Sequence, residues 1–258
     1  MRYYVVSDIH GYYSQFMSAL EHAGFNESGD SKLIICGDLF DRGREALALQ
    51  SFVLRLMEKD KVILIKGNHE SLMIEMVREL QRSRKDITYI DPRYAVNGTL
   101  ETAMQLTRTR DLASVYSPTF AKKLLETPFL KTILPAMKNY FETPHYVFVH
   151  GWIPCGNDDI NSKQCSYDPK WRQASDRQWE VSRWQNGINA CMQFGVKEPG
   201  KTIVCGHWHA SYGHYAFGNA SSEFELGANF SPFYSDGIIA IDGCTALSGQ
   251  VNCVVIED

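Results

Sequence analysis

The sequence predicts an α/β fold on three observations. Residues 3–7, 33–36 and 62–65 are short apolar runs with the length and composition of buried strands. Each run is followed by a stretch whose apolar residues recur at helical spacing. Each run also breaks, at its carboxyl end, into a polar cluster: Ser7-Asp8-Ile9-His10-Gly11, Gly37-Asp38-Leu39-Phe40-Asp41-Arg42-Gly43 and Gly67-Asn68-His69-Glu70. Strands alternating with helices imply a parallel sheet, and ligands of such sheets collect beyond the carboxyl ends of the strands.

In chain order, residues 3–7 form the first strand. Residues 12–23 carry Phe16, Leu20 and Ala23 on one helical face, and Gly24 is placed to end that helix in a left-handed turn. Residues 33–36 form the second strand, and Gly37 permits a turn where a side chain would clash. Residues 45–59 put Leu49, Phe52, Val53 and Leu56 on one face of a second helix. Residues 62–65 and 71–82 give a third strand and helix. From 85 to 143 strand signals vanish, and Pro118, Pro128 and Pro135 punctuate amphipathic pieces such as 120–125. This is expected to be a helical insert capping the sheet edge within a single domain of residues 1–258. Residues 146–149 return to strand and deliver His150-Gly151, after which 154–177 is polar and irregular. Residues 179–194 read as one helix containing Arg183. A strand at 202–205 ends at Gly206-His207, and strands at 237–241 and 251–256 flank a turn-rich stretch, 242–250.

Composition narrows the possible functions. Hydrophobic residues at 44% and charged residues at 22% are those of a soluble globular chain, and 258 residues suffice to bury a substantial core. A formal net charge of −4 gives no electrostatic reason to expect nucleic acid as a partner. The basic cluster 78–85 is interrupted by Glu79 and reads as the solvated end of a helix. No run of about eighteen apolar residues exists to span a membrane. The first strand begins too early to leave room for a cleaved signal peptide, so a cytoplasmic protein is expected. Cys36, Cys205 and Cys253 lie in apolar runs, where a thiol acts as a small hydrophobe; Cys155 and Cys165 share a polar loop and are able to pair. Seven cysteines, an odd count, point to a reducing compartment.

The strand ends together present Asp8, His10, Asp38, Asn68, His150 and His207. Asp8 and His10 are two apart, so at an extended strand end they project to one side. A single such Asp or Asn is as readily a helix cap as a ligand, and a single such His as readily a hydrogen-bonded core residue. Six at successive strand ends are better explained as a ligand set. Carboxylate, imidazole and amide oxygen without thiolate suit manganese, iron or zinc in a catalytic site. Asp38, from the middle strand, is best placed to bridge two ions, as in two-metal hydrolases. His209 is left between ligand, substrate contact and surface roles, while His22, His145 and His214 read as ordinary structural histidines.

Gly37-Asp38-Leu39-Phe40-Asp41-Arg42-Gly43 and Gly67-Asn68-His69-Glu70 resemble two signatures of the PPP-type metallophosphoesterases. This calcineurin-like group includes bacterial and phage serine/threonine protein phosphatases and symmetrical diadenosine tetraphosphate hydrolases. The resemblance extends over residues 3–256 and implies a calcineurin-like fold, a two-sheet β-sandwich flanked by helices (α+β in that sense). It also implies that Asp8 and His10 hold one metal, that Asp38 bridges, and that Asn68, His150 and His207 hold the second. Asp41 and His69 match the family's Asp–His pair and Arg42 its first phosphate-binding arginine; Arg183 stands where a second is expected. The chain departs from the pattern at Ser7 and Trp152, where glycine is usual. Gly206-His207-Trp208 is closer to the dinucleotide hydrolases than to the phage phosphatases.

The chemistry implied is hydrolysis of a phosphomonoester by water activated between two transition-metal ions, manganese first, iron or zinc next. Arg42 and Arg183 would clamp phosphate oxygens and His69, oriented by Asp41, would protonate the leaving alkoxide. The expected substrate is phosphoserine or phosphothreonine in a protein. The alternative is a dinucleoside polyphosphate, and a non-catalytic scaffold is disfavoured because it has no use for His69 and Arg42.

Overall fold

The computed structural model describes residues 1–82, 89–156 and 165–258. The first third follows the expected alternation: β1 (Arg2–Val6), α1 (Tyr13–Ala23), β2 (Ser31–Cys36), α2 (Ala46–Glu58), β3 (Val62–Ile65) and α3 (Asn68–Arg82). Gly24 closes α1 at φ 79°, its N–H donating back to the Glu21 and Leu20 carbonyls. α3 begins three residues before the expected start, so Asn68, His69 and Glu70 lie in its first turn. Residues 83–85 of the basic cluster and 85–88 of the insert lie outside the described residues.

The rest of the insert is helical. It comprises α4 (Pro92–Val96), α5 (Thr99–Thr107), a 3₁₀ turn (Leu112–Tyr116), α6 (Pro118–Leu125), a π turn (Phe129–Ile133) and α7 (Leu134–Ala136). Leu100, Ala103, Phe120, Leu124 and Phe129 are buried in the same cluster as Leu33, Leu49 and Phe52, so the insert packs over the helices of the first sheet.

The chain then builds a second sheet from β4 (Phe141–Glu142), β5 (Tyr146–Phe148), β6 (Thr202–Cys205), β7 (Phe233–Ser235) and β8 (Ile238–Ala240), and closes with β9 (Val254–Glu257). Between them lie a 3₁₀ turn (Trp171–Gln173), α8 (Asp176–Arg183), α9 (Gly187–Met192), α10 (Ala210–Ala216) and α11 (Thr245–Ser248). The single helix expected over 179–194 is in fact two, α8 and α9. Asn186 starts the second by accepting from the Asn189 N–H at 3.0 Å. Gly187 lies so close to Trp152 that a Cβ there would come within 2.6 Å of the indole. Tertiary packing, which periodicity does not record, sets the break. The edge strands β4 and β7, two and three residues long, leave no periodic signal to read. Cys155 and Cys165 are joined as a disulfide, the pairing the sequence allowed.

The first sheet has the order β3-β2-β1-β9 and the second β4-β5-β6-β8-β7. β1, β2 and β3 are parallel neighbours, with β9 antiparallel at the edge. Alternation along β1 shows how the layers form: Val5 faces the second sheet among Ile34, Ile65, Phe148 and Val204, while Tyr4 and Val6 face the helices. On the far side, Val147, Ile203 and Ile238 pack under Trp152, Trp171 and Trp179. The result is helix, sheet, sheet, helix, with both sheets delivering strand ends to one edge. Among the described residues no helix is long and apolar enough to cross a membrane.

Candidate metal centre

Backbone conformation marks the site before any side chain is considered. Nine non-glycine residues among those described have positive φ, and six are Asp8 (50°), His10 (52°), Asp38 (53°), Asp41 (75°), Arg42 (64°) and His207 (65°). Such a conformation costs an L-residue about 1–3 kcal/mol and persists only where its surroundings enforce it. Here the loops after β1 and β2 are laced together. Asp8 donates its N–H to Gly37 at 3.2 Å, His10 to Asp38 at 3.0 Å, Gly11 to Leu39 at 2.8 Å and Gly43 to His10 at 2.8 Å. Gly37, at φ 83°, sits where a Cβ would lie 2.5 Å from His150 Nδ1 and 2.7 Å from Gly67 Cα. Three loops converge on that point, so no side chain fits.

Four of the six expected ligands, His10, Asp38, His150 and His207, fall into two groups at this edge, one of which also takes in His69, expected as the acid; Asp8 and Asn68 lie beside them, outside both groups. His10, Asp38 and His69 bring ligand atoms within 4.8 Å of one another, and so do Asp38, His150 and His207. Asp38 belongs to both groups, the position expected of a bridge. Asp8 Oδ1 lies 3.9 Å from His10 Nε2, and Asp38 Oδ2 lies 3.8 Å from the same atom. Asn68 Oδ1 lies 2.8 Å from His150 Nε2, which is 3.4 Å from Asp38 Oδ1. Outer partners aim the rings: His10 Nδ1 faces the Phe40 carbonyl at 3.1 Å and His150 Nδ1 the Cys36 carbonyl at 2.8 Å. Each tautomer thereby directs Nε2 into the cluster, the usual arrangement for metal-binding imidazoles.

The electrostatics suit cations. Burial pushes Asp8 up to about 6, with the Asp38 charge adding to it and His150 opposing. Burial holds His10 well below the ordinary imidazole value and His207 at about 3, helped there by the charge of His150. Both are neutral, as ligands must be. Burial also resists charge on His150, but Asp38 and Asp8 override it and raise it to about 10. Buried carboxylates interleaved with imidazoles, of which His10 and His207 are held neutral, form a donor set of oxygen and nitrogen that fits two divalent ions.

His69 and Asp41 are paired at 2.7 Å through Nδ1 and Oδ2. Burial disfavours the charged ring, yet Asp38 and Asp41 raise its pKa above the usual imidazole value. Arg42 is exposed and its Nη2 lies 3.4 Å from His69 Nε2. Arg183 is held by partners of its own. Its guanidinium donates to Glu180 at 2.6 Å and Asn139 at 2.6 Å and lines a cavity of about 530 Å³ with Lys66 and Ser71, none of whose lining residues is a ligand. His209 is outside both ligand groups and bonds Glu223 at 2.6 Å.

Four supporting residues escaped the sequence reading. Glu70 is buried and accepts N–H groups from Asp38 (3.0 Å), Leu39 (3.0 Å) and Gly67 (2.7 Å), fixing the bridging carboxylate's backbone. It stood in a recognised motif, and its place three residues after Gly67 was the available clue. Thr99, Thr102 and Gln105 share one face of α5. Thr99 donates its hydroxyl to Asp41 Oδ2 at 2.6 Å, Thr102 accepts from the Asp41 N–H at 2.9 Å, and Gln105 donates to the Gly43 carbonyl at 2.9 Å. Their spacing is that of any amphipathic helix, so nothing in the sequence distinguishes them.

Residues 1–220 match the calcineurin-like phosphoesterase family. A symmetrical bis(5'-nucleosyl)-tetraphosphatase from Buchnera aphidicola subsp. Acyrthosiphon pisum is 36% identical over 91 residues, 35% of this chain and 32% of that protein. The asymmetrical bis(5'-nucleosyl)-tetraphosphatase PrpE of Bacillus velezensis is 34% identical over 76 residues, 27% of this chain and 30% of its own length. The matched stretch thus spans about a third of these curated relatives. A solved cold-active protein tyrosine phosphatase superposes with a TM-score of 0.52 at 20% identity, covering 99% of this chain and 73% of that one, a likeness of fold.

Proposed function

Because the chain belongs to the calcineurin-like phosphoesterase family, we propose that it hydrolyses phosphomonoesters, with phosphoserine and phosphothreonine in proteins as substrates. The observation that carries this reading is Asp38, shared by two groups of potential ligands, one of which includes the His69 that pairs with Asp41. Asp8, His10 and Asp38 would hold one ion and Asp38, Asn68, His150 and His207 the other, with manganese the preferred metal. When bound, two such ions supply Lewis acidity and a water made nucleophilic near neutral pH.

The chain's own groups do the remaining work. Arg42 presents a planar guanidinium to phosphate oxygens, a better bidentate match than lysine. Asp41, held by Thr99 and Thr102, accepts from His69 Nδ1 and leaves Nε2 to carry the proton given to the leaving oxygen. Arg183 enters as a second clamp only if its guanidinium exchanges Glu180 and Asn139 for phosphate.

A second reading, hydrolysis of dinucleoside polyphosphates, is favoured by a run of rings starting at a metal-ligand candidate. Trp184 meets His207 edge-on at 5.9 Å, Trp208 stacks on His209 at 5.8 Å, and exposed Phe224 lies 4.7 Å from His209. Such rings suit a nucleobase, and both named relatives are tetraphosphatases. The test is chelation followed by Mn²⁺ titration, reading kcat/KM on a phosphothreonine peptide and on diadenosine tetraphosphate. The proposal expects activity to vanish and return with two ions per chain and the peptide to be favoured. A preference of about a hundredfold for the dinucleotide, roughly 2.7 kcal/mol of differential transition-state binding, would reverse the substrate assignment.

A further inference from the structure

The helix that holds the catalytic loop also forms one wall of a second, basic surface. One face of α5 fastens Asp41 and Gly43 through Thr99, Thr102 and Gln105. Its neighbouring face, with α2, lines an open groove of about 890 Å³. Leu47 and Met104 form the apolar floor, while Arg44, Arg108 and Arg110 supply three positive charges against the single carboxylate of Glu101. Among the described residues none of these guanidiniums lies in an ion pair, whereas Arg55, Arg93 and Arg172 all do. The chain as a whole carries −4, so this concentration of unpaired positive charge is local.

Position gives the groove its meaning. Arg44 follows the phosphate-facing Arg42 by two residues, which puts their Cα atoms within about 8 Å of each other. Gln105 ties the two surfaces, donating to the Gly43 carbonyl while accepting from the Ala46 N–H at 3.1 Å. The groove therefore lies on the segment that directly follows Arg42, within reach of a polypeptide attached to a phosphoryl group bound there. Its volume exceeds what one phosphate fills, and its apolar floor suits side-chain stems better than an inorganic ion.

We propose that the groove lined by Arg44, Arg108 and Arg110 binds an acidic stretch of polypeptide flanking the phosphorylated residue, so that the enzyme selects phosphosites with neighbouring Asp or Glu. This rests on the phosphoprotein reading, and the experiment separates the two. Fluorescein-labelled, phosphate-free peptides rich in Glu, and their Gln counterparts, are titrated against the full chain and followed by anisotropy. The Glu peptide binds at least about tenfold more tightly than the Gln peptide, the scale of one charge-assisted contact, and loses that advantage at high salt. The variant Arg44→Gln/Arg108→Asn/Arg110→Gln abolishes the advantage; Asn at 108 tolerates the left-handed backbone found there, at φ 55°. Arg110→Gln alone gives an intermediate loss and guards against misfolding of the triple variant. Phosphothreonine peptides with Glu or Gln flanks are assayed alongside: the variant raises KM for the Glu-flanked peptide only and leaves nitrophenyl phosphate turnover unchanged. Equal binding of Glu and Gln peptides, or a preference that survives the triple substitution, refutes the groove. Nitrophenyl phosphate turnover without hydrolysis of any phosphopeptide overturns the phosphoprotein reading instead, and the anisotropy result still decides the groove.

Discussion

The two sheets contribute to one centre, but they hold their contributions differently. The loops of the first sheet carry Asp8, His10, Asp38, Asn68 and His69, and these are fixed by bonds between loops, by Glu70 beneath three N–H groups, and by α5 above Asp41. The second sheet offers His150 and His207, and both depend on the first. His150 is aimed by the Cys36 carbonyl at the end of β2, and the His207 N–H donates to Asp8 Oδ2 at 2.9 Å. Five of the six strained site residues thus lie on the first side, and the second side registers against it. Damage on the first side should spread to the whole centre, whereas damage on the outer part of the second sheet should leave chemistry intact.

The largest effect is expected at the residue both sides share. Asp38→Asn keeps the shape but removes the bridging negative charge, and Asp38 is the member shared by both ligand groups. Metal analysis should find neither ion retained, and hydrolysis of both nitrophenyl phosphate and phosphopeptides should fall by more than the ~10–100-fold typical of losing an outer partner. Retention of one tightly held ion with partial activity would mean that the two groups assemble independently, and the asymmetry would fail.

Much of that first side was readable because its chemistry is contiguous with its strands. An apolar run breaking into a polar cluster recurs in order, so Asp8, His10, Asp38 and Asn68 were legible as candidate ligands from their places at strand ends, while His69, Asp41 and Arg42 came from the family resemblance. His150 and His207 were found the same way, each after a short apolar run. The unread parts share a physical cause, since their roles are set by contacts across the chain. Thr99 reaches Asp41 over 58 residues, and Gly187 is dictated by Trp152. Arg183 was placed by a loose local pattern, while its side chain follows Glu180 and Asn139.

Smaller, and confined to one step, is the effect of His69→Asn. General acid assistance is worth ~10²–10⁴-fold, so a phosphoserine peptide should lose that much at matched metal content. Nitrophenyl phosphate, whose leaving group departs unprotonated, should lose far less. An equal drop on both substrates would move His69 from proton donor to positioning group, despite its bond to Asp41.

The smallest effect tests the periphery of the second side. Arg172 joins the edge strand β4 to the loop after the disulfide, donating to Glu142 at 2.8 Å and Glu198 at 2.8 Å while covering Trp171 at 4.2 Å. Its hydrogen bonds, with those of Lys201, depress Glu142 to about 2 from an ordinary value of 4.5. A carboxyl whose pKa is lower in the folded chain stabilises it fully above pH 4.5, and that contribution fades as pH falls towards 2. Arg172→Met keeps the apolar stem against Trp171 and removes the charge. With solvent screening allowed for, the loss at neutral pH should be about 1–2 kcal/mol, a fall in Tm of roughly 2–6 °C. Melting curves of wild type and variant should converge as the buffer is taken from pH 7 towards pH 3, while kcat/KM at pH 7 stays level. A Tm difference independent of pH would assign the loss to packing on Trp171. A fall in kcat/KM would show that the second sheet's edge does reach His150 and His207, contrary to the division between the two sides.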